Sequence, residues 1–255
     1  MSLFWEKHIK SDIEVFGFRE SPYRGLYFFI YLFKIIRKCK APNWRVIKHA
    51  KELWFLEKEG LMTKYLEFLR RRGACSNQAA AQNFYYFQYI KNRFGGKNNL
   101  NFLEIGAGGG IFAMLCFEYL PIRNYTIIDF PEMLTVAERN IKKYQPKIIN
   151  RIRFLKSGQR PDVRFDACFN FNSFCEMEEK EIIEYFDLIY STAKPHALFF
   201  NVNYHRKIKN RDGSKSDNNP LLFPYRGKPI VWETNRMYIS QKPFGPPTYM
   251  RIEIM

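Results

Sequence analysis

The segment LEIGAGGG, residues 103–110, decides the fold. The apolar run NFLEI (101–105) leads into it, and an apolar helical pattern starts at Ile111. Glycine has no β-carbon, so such a turn can pass sharply from strand to helix and let a ligand press against the backbone. Spacing narrows the ligand. The dinucleotide fingerprint G-x-G-x-x-G would need a third glycine at position 111, which is Ile111. The glycines fall instead at Gly106, Gly108 and Gly110, with Ala107 between the first two, in the form E-x-G-x-G-x-G that begins at Glu104.

Outward from this loop the pattern repeats. Short apolar runs at Asn101–Ile105, Tyr125–Ile128, Ile152–Leu155, Ala167–Asn170 and Ala197–Val202 predict strands, and amphipathic stretches at Ile111–Glu118, Glu132–Tyr144 and Glu179–Ala193 predict the helices between them. Such alternation implies βαβ units, hence an α/β fold with a doubly wound, mostly parallel sheet and helices on both faces. Lys207–Asn219 is polar and rich in turn formers, so a loop is expected there, followed by strands at Pro229–Glu233 and Thr248–Ile254. Upstream, Trp44–Phe55, Leu61–Arg71 and Asn77–Arg93 carry apolar residues at helical spacing. The expected division is a helical region at 1–95 and the glycine-loop domain at 96–255.

The form of the loop resembles that of Rossmann-like S-adenosylmethionine-dependent methyltransferases. That cofactor has no pyrophosphate and offers an α-ammonium group, for which a carboxylate at Glu104 suits and a diphosphate would not. Asp129 ends the second strand in IIDFPEM, where an acidic residue can accept both ribose hydroxyls. Phe130 beside it, Ser157 and Gly158 after the third strand, and Asn170 at the end of the fourth complete the expected cofactor contacts. After that fourth strand come Asn172, Ser173 and Glu176, facing the reactive centre in an open α/β sheet. The spacing of Ser173 and Glu176 also fits a capping box, and the two roles are compatible.

A narrower resemblance covers roughly residues 101–203. The run NFNSFCEM with IIDFPEM and LEIGAGGG is similar to a family of sugar O-methyltransferases from bacterial surface-polysaccharide gene clusters, which usually has Thr where this chain has Phe171. The resemblance implies methyl transfer from S-adenosylmethionine to a hydroxyl of a sugar or glycan precursor. Such a transfer needs alignment and a proton acceptor. Glu176 and His205 are the candidates for the base, and Asn203 and Tyr204, with Asn172 and Ser173, the candidates to orient the acceptor. His8, His49, His196 and His205 show no ligand spacing, so no metal is expected.

Charge and composition bound the alternatives. The 255 residues carry 41 Lys and Arg against 25 Asp and Glu, a net charge of +16. Residues 1–100 hold +11 of this, 101–200 hold −1 and 201–255 hold +6. Such basic ends suit an anionic or phosphate-linked glycan, and they also allow peripheral contact with an anionic membrane. A nucleic-acid methyltransferase is disfavoured, because the segment after the fourth strand reads NFNSF with no proline where amino-methylating enzymes carry Asn-Pro-Pro-Tyr or its like. A non-catalytic scaffold is disfavoured by the intact loop and acid. The aromatic run Leu26–Phe33 is eight residues, too short to cross a bilayer that needs about 20. The N-terminal residues lack a signal-peptide pattern, and five cysteines without a C-x-x-C pair suit a reducing cytoplasm. The basic N-terminal helices are expected to cap the acceptor side or to build a homodimer.

Overall fold

The computed structural model describes residues 50–74, 76–210, 213–234 and 248–255. They form two compact units that divide between Gly95 and Gly96. The expected apolar segment at 26–33 and the start of the helix expected at Trp44 lie outside the described residues.

The first unit contains helices α1 (Ala50–Lys58), α2 (Met62–Arg72) and α3 (Gln78–Lys91), then a short 3-10 turn at Asn92–Phe94. Gly73 closes α2 in the left-handed region at φ 60°, returning its N–H to the last turn. Asn77 opens α3, its side chain accepting from the Ala80 N–H at 2.8 Å. Aromatic side chains hold the helices together: Phe55 meets Tyr85 edge-on at 4.9 Å, and Tyr65 meets Phe84 at 5.5 Å.

The second unit is built on one seven-stranded sheet. Its strands are β1 (Leu100–Ile105), β2 (Ile122–Asp129), β3 (Ile152–Lys156), β4 (Phe165–Phe171), β5 (Ala193–Tyr204), β8 (Lys228–Thr234) and β9 (Thr248–Ile254). Their order across the sheet is β3-β2-β1-β4-β5-β9-β8. The first five are parallel, and β9 runs antiparallel to both β5 and β8. Helix α4 (Ile111–Tyr119) follows β1, α5 (Pro131–Tyr144) follows β2, and α6 (Glu179–Thr192) follows β4.

Strands covered on both faces read as continuous apolar runs. In β1, Phe102 meets Phe169 and Glu104 meets Tyr125, side chains covered by Phe112 and Phe117 of α4, while Leu103 and Ile105 belong to the buried cluster of Phe174 and Phe186 on the α6 face. Helix α4 (IFAMLCFEY) is apolar all round, and six of its residues are buried. On the α6 face, Phe174, Phe186, Phe199, Phe223 and Tyr225 pack ring to ring at 5.2–6.5 Å.

Two expectations need correction. Lys207–Asn219 is not a plain loop, because Arg206–Lys209 (β6) and Lys215–Asn218 (β7) pair as an antiparallel hairpin. Its only apolar residue is Ile208, which is buried, and its anchor is Asn218, whose amide N–H groups reach the carbonyls of Met177 at 2.7 Å and Cys175 at 3.1 Å. Ser173 does not start the α6 capping box either. It precedes a 3-10 turn, Phe174–Glu176, and Glu178 with Glu181 makes the box one turn later.

Candidate active site

The strand order reverses between β1 and β4, the place where open α/β sheets bind ligands at the carboxyl ends of their strands. Register brings the site residues there: Ile105 pairs with Ile128 on one side and Asn170 on the other, and Asn170 pairs with Asn201.

Each glycine of the loop does a different job. Gly106 (φ 74°) has Ser173 directly over it, so a β-carbon there would collide with that side chain. Gly110 (φ 74°) opens α4 and packs on α5, where a β-carbon would come within 3.0 Å of Ile141. Gly108 (φ 53°) faces open space, with nothing inside 4 Å of an added β-carbon. That opening is what a ligand pressed against the loop requires. Asn140 of α5, not foreseen from the sequence, donates to the Gly109 carbonyl at 3.2 Å and steadies the loop from behind.

Asp129 closes the other side of the opening. One carboxylate oxygen accepts the Gly108 N–H at 3.0 Å and the other the Phe130 N–H at 2.8 Å. Burial raises its pKa to about 6, against the pull of these backbone donors and that of Ala107. The carboxylate therefore sets the shape of the glycine loop while standing at its mouth. The Ser157 N–H bonds the Asp129 carbonyl at 3.1 Å, and the Ser157 hydroxyl accepts from Tyr185 of α6 at 2.9 Å. Gly158 beside it is exposed with φ 87°. Tyr185 thus joins Ser157 and Asp129 past the ends of β2 and β3, a placement that helical periodicity alone could not reveal.

Glu104 sits deeper than the sequence suggested. Only 2% exposed, it accepts from the Tyr125 hydroxyl at 2.8 Å, and burial raises its pKa to about 8, the nearby Asp129 charge adding to the rise. It stands behind the loop, held by the Tyr125 hydroxyl.

The asparagines at the ends of β4 and β5 form a clamp. Asn170, fully buried, donates to the Ile105 carbonyl at 2.9 Å and to the Ser173 hydroxyl, and accepts from Asn203 at 2.8 Å. Asn203 also donates to Asn201 and accepts from the Cys175 N–H. Asn203 and Ser173, at 0% and 5% exposed, direct their polar atoms to one another's neighbours and so join β1, β4 and β5. Asn172, at φ 58° and half-buried, turns the chain between them.

A second polar cluster joins the turn after β4 to the end of β5. The Glu176 carboxylate is paired with Arg206 and accepts from the Tyr204 hydroxyl at 3.1 Å. Arg206 also donates to Tyr204 at 2.6 Å. A cavity of about 500 Å³ is lined by Tyr204, His205, Arg206 and Lys207. His205 pairs through Nε2 with Asp217 of β7. Among the described residues no cluster of His, Cys, Asp or Glu could hold a metal ion, and no helix is long and apolar enough to cross a membrane.

Residues 74–164 match the model of a family described as lysine methyltransferase. That span ends one residue before β4, so it covers the glycine-loop half of the sheet and none of the acceptor side. No curated protein matches the chain. Among solved structures, one described as a candidate sarcosine dimethylglycine methyltransferase from Galdieria sulphuraria is similar at TM-score 0.54 and 10% identity, over 69% of this chain and 87% of that one. The PH0226 protein of Pyrococcus horikoshii OT3 is similar at 0.52 and 15%, over 70% and 92%. The [4+2]-cyclase SpnF is similar at 0.51 and 15%, over 71% and 84%. The fold is the Rossmann-like methyltransferase fold. Together with the family match it supports a class I methyltransferase with S-adenosylmethionine as its cofactor.

Proposed function

We propose that this protein is a cytoplasmic O-methyltransferase that moves the methyl group of S-adenosylmethionine to a hydroxyl of a sugar or glycan precursor. The observation that carries the cofactor half is the open face of Gly108 beside the Asp129 carboxylate, at the switch point between β1 and β4. The residues present fit the group. The loop leaves room for its methionine part, Asp129 suits its ribose hydroxyls, and Phe130, Ser157, Gly158 and Tyr185 lie where its adenine would be flanked.

S-adenosylmethionine, when bound, supplies an electrophilic methyl group on a positively charged sulfur. The chain's own task is to orient the acceptor and take its proton. A proton arriving at Glu176 would have to displace Arg206, so the Glu176–Arg206–Tyr204 group is better suited to holding a polar acceptor. His205 is then the proton acceptor. The sugar class rests on the sequence resemblance and on the basic side chains, Arg206 and Lys207, that line the acceptor-side cavity. The second reading is an amine acceptor. It is favoured by the description of the matching family, although that match stops short of β4.

The test is calorimetric titration with S-adenosylhomocysteine, with NAD as control, in the wild type and in Gly108→Arg. Micromolar binding of S-adenosylhomocysteine alone, lost in the variant, is expected, because the new side chain fills the opening. Equal binding to both proteins overturns the cofactor assignment. Methyl transfer from radiolabelled donor to monosaccharides, and not to lysine-rich peptides, separates the two acceptor readings.

A further inference from the structure

Asp217 lies in a hairpin that sequence pattern alone assigns to a loop, and it ends directly against His205. The hairpin register sets Asp217 opposite Lys207, and the Asn218 amide fastens the strand to the turn that carries Glu176. This fixes the position of a residue whose side chain is otherwise 56% exposed. Its carboxylate oxygen meets His205 Nε2, while His205 also lines the acceptor-side cavity.

From this juxtaposition we infer that Asp217 is a positioning residue that orients His205 as the general base for the acceptor hydroxyl, an inference that rests on the methyl-transfer reading above. A carboxylate that accepts from Nε2–H keeps the ring proton on that nitrogen and leaves Nδ1 as the basic one. In the transfer step the acceptor O–H proton passes to Nδ1 while the oxygen forms its bond to the methyl carbon. The carbon–sulfur bond breaks and its electron pair stays on sulfur. The positive charge that leaves sulfur reappears on the imidazolium, next to the Asp217 carboxylate. Among the described residues, the other charged side chains lining that cavity are Lys207 and Arg206, the latter paired with Glu176. The carboxylate that meets the imidazole is that of Asp217.

The test uses the full chain with radiolabelled S-adenosylmethionine and a panel of hexoses, hexosamines and hexuronates. Asp217→Asn is expected to lower kcat about tenfold or more with little change in acceptor KM. Asp217→Glu should restore part of the rate. In a His205→Gln background the Asp217→Asn change should cost nothing further. An equal cost in both backgrounds, or no rescue by Asp217→Glu, overturns the inference. If no sugar is methylated, the sugar reading fails by itself, and the pairing is decided by the 15N shifts of the neutral His205 ring in the same proteins. A ring protonated on Nε2 in the wild type that becomes a mixture of tautomers in Asp217→Asn supports it, and an unchanged tautomer overturns it.

Discussion

Replacing Gly106 by alanine tests whether the glycine loop is shaped by its own backbone or by the clamp above it. Gly106 and Gly108 both lie in the left-handed region, at φ 74° and 53°, where an alanine costs about 1–2 kcal/mol. At Gly108 that strain is the whole expense, because the added carbon meets nothing. At Gly106 the new carbon also strikes Ser173, which is 5% exposed and tied to Asn170 and the Ile105 carbonyl. Overpacking of this kind adds about 1–3 kcal/mol. Displacing a hydrogen-bonded hydroxyl adds about 1 kcal/mol more. The expected loss is thus about 3–6 kcal/mol for Gly106→Ala, the sum of these ranges, against about 1–2 kcal/mol for Gly108→Ala. Urea unfolding followed by circular dichroism measures both. Ser173→Gly in the Gly106→Ala background removes the obstructing side chain and should recover most of the difference. Equal losses at the two glycines, or no recovery in the double variant, would refute the idea that Ser173 dictates the first glycine.

The buried acids and two ion pairs of the sheet supply three further outcomes. Glu104 and Asp129, with pKa values raised to about 8 and about 6, bind protons more tightly folded than unfolded, so stability should fall as pH rises from the ordinary carboxylate range towards 8. Glu104→Gln should flatten this fall, and its urea midpoint should gain on the wild type between pH 5 and pH 9; a constant difference would contradict the burial of an ionising group. Arg251, stacked at 4.1 Å on both Tyr225 and Trp232, pairs with Glu253, whose side chain is fully buried. Arg251→Ala should cost about 3–5 kcal/mol in thermal unfolding, because an ion is left unpaired in the interior. Lys194→Ala, which breaks the more exposed pair with Asp166, should cost about 1 kcal/mol or less.

The parallel half of the sheet was legible because its strands are covered on both sides and so announce themselves as apolar runs. The glycine loop was legible for a related reason, since its conformations admit few residues. What pattern could not show was pairing between distant polar groups. Asn170, Ser173 and Asn203 look like a ligand-facing set when read in line, yet their amides and hydroxyl face one another across three strands. The β6–β7 hairpin was missed because Lys, Asn, Asp and Ser fill it, leaving Ile208 alone to mark a face. Its stability comes from Asn218 gripping carbonyls more than 40 residues upstream. Asp217 was invisible for the same reason, and the burial of Glu104 was not legible because spacing gives a residue's position along a strand and not the depth of its carboxylate.

The placement of β9 between β5 and β8 also governs how the molecule can be made. β8 emerges from the ribosome before β9, but it has no partner in the sheet except β9. Until residues 248–254 arrive, β5 presents an unpaired edge beside the acceptor-side chemistry, and Trp232 waits without the guanidinium it stacks on. A nascent chain stalled before this point would carry a finished glycine loop and an open sheet. In that state it is a target for chaperones and for mispairing with other chains.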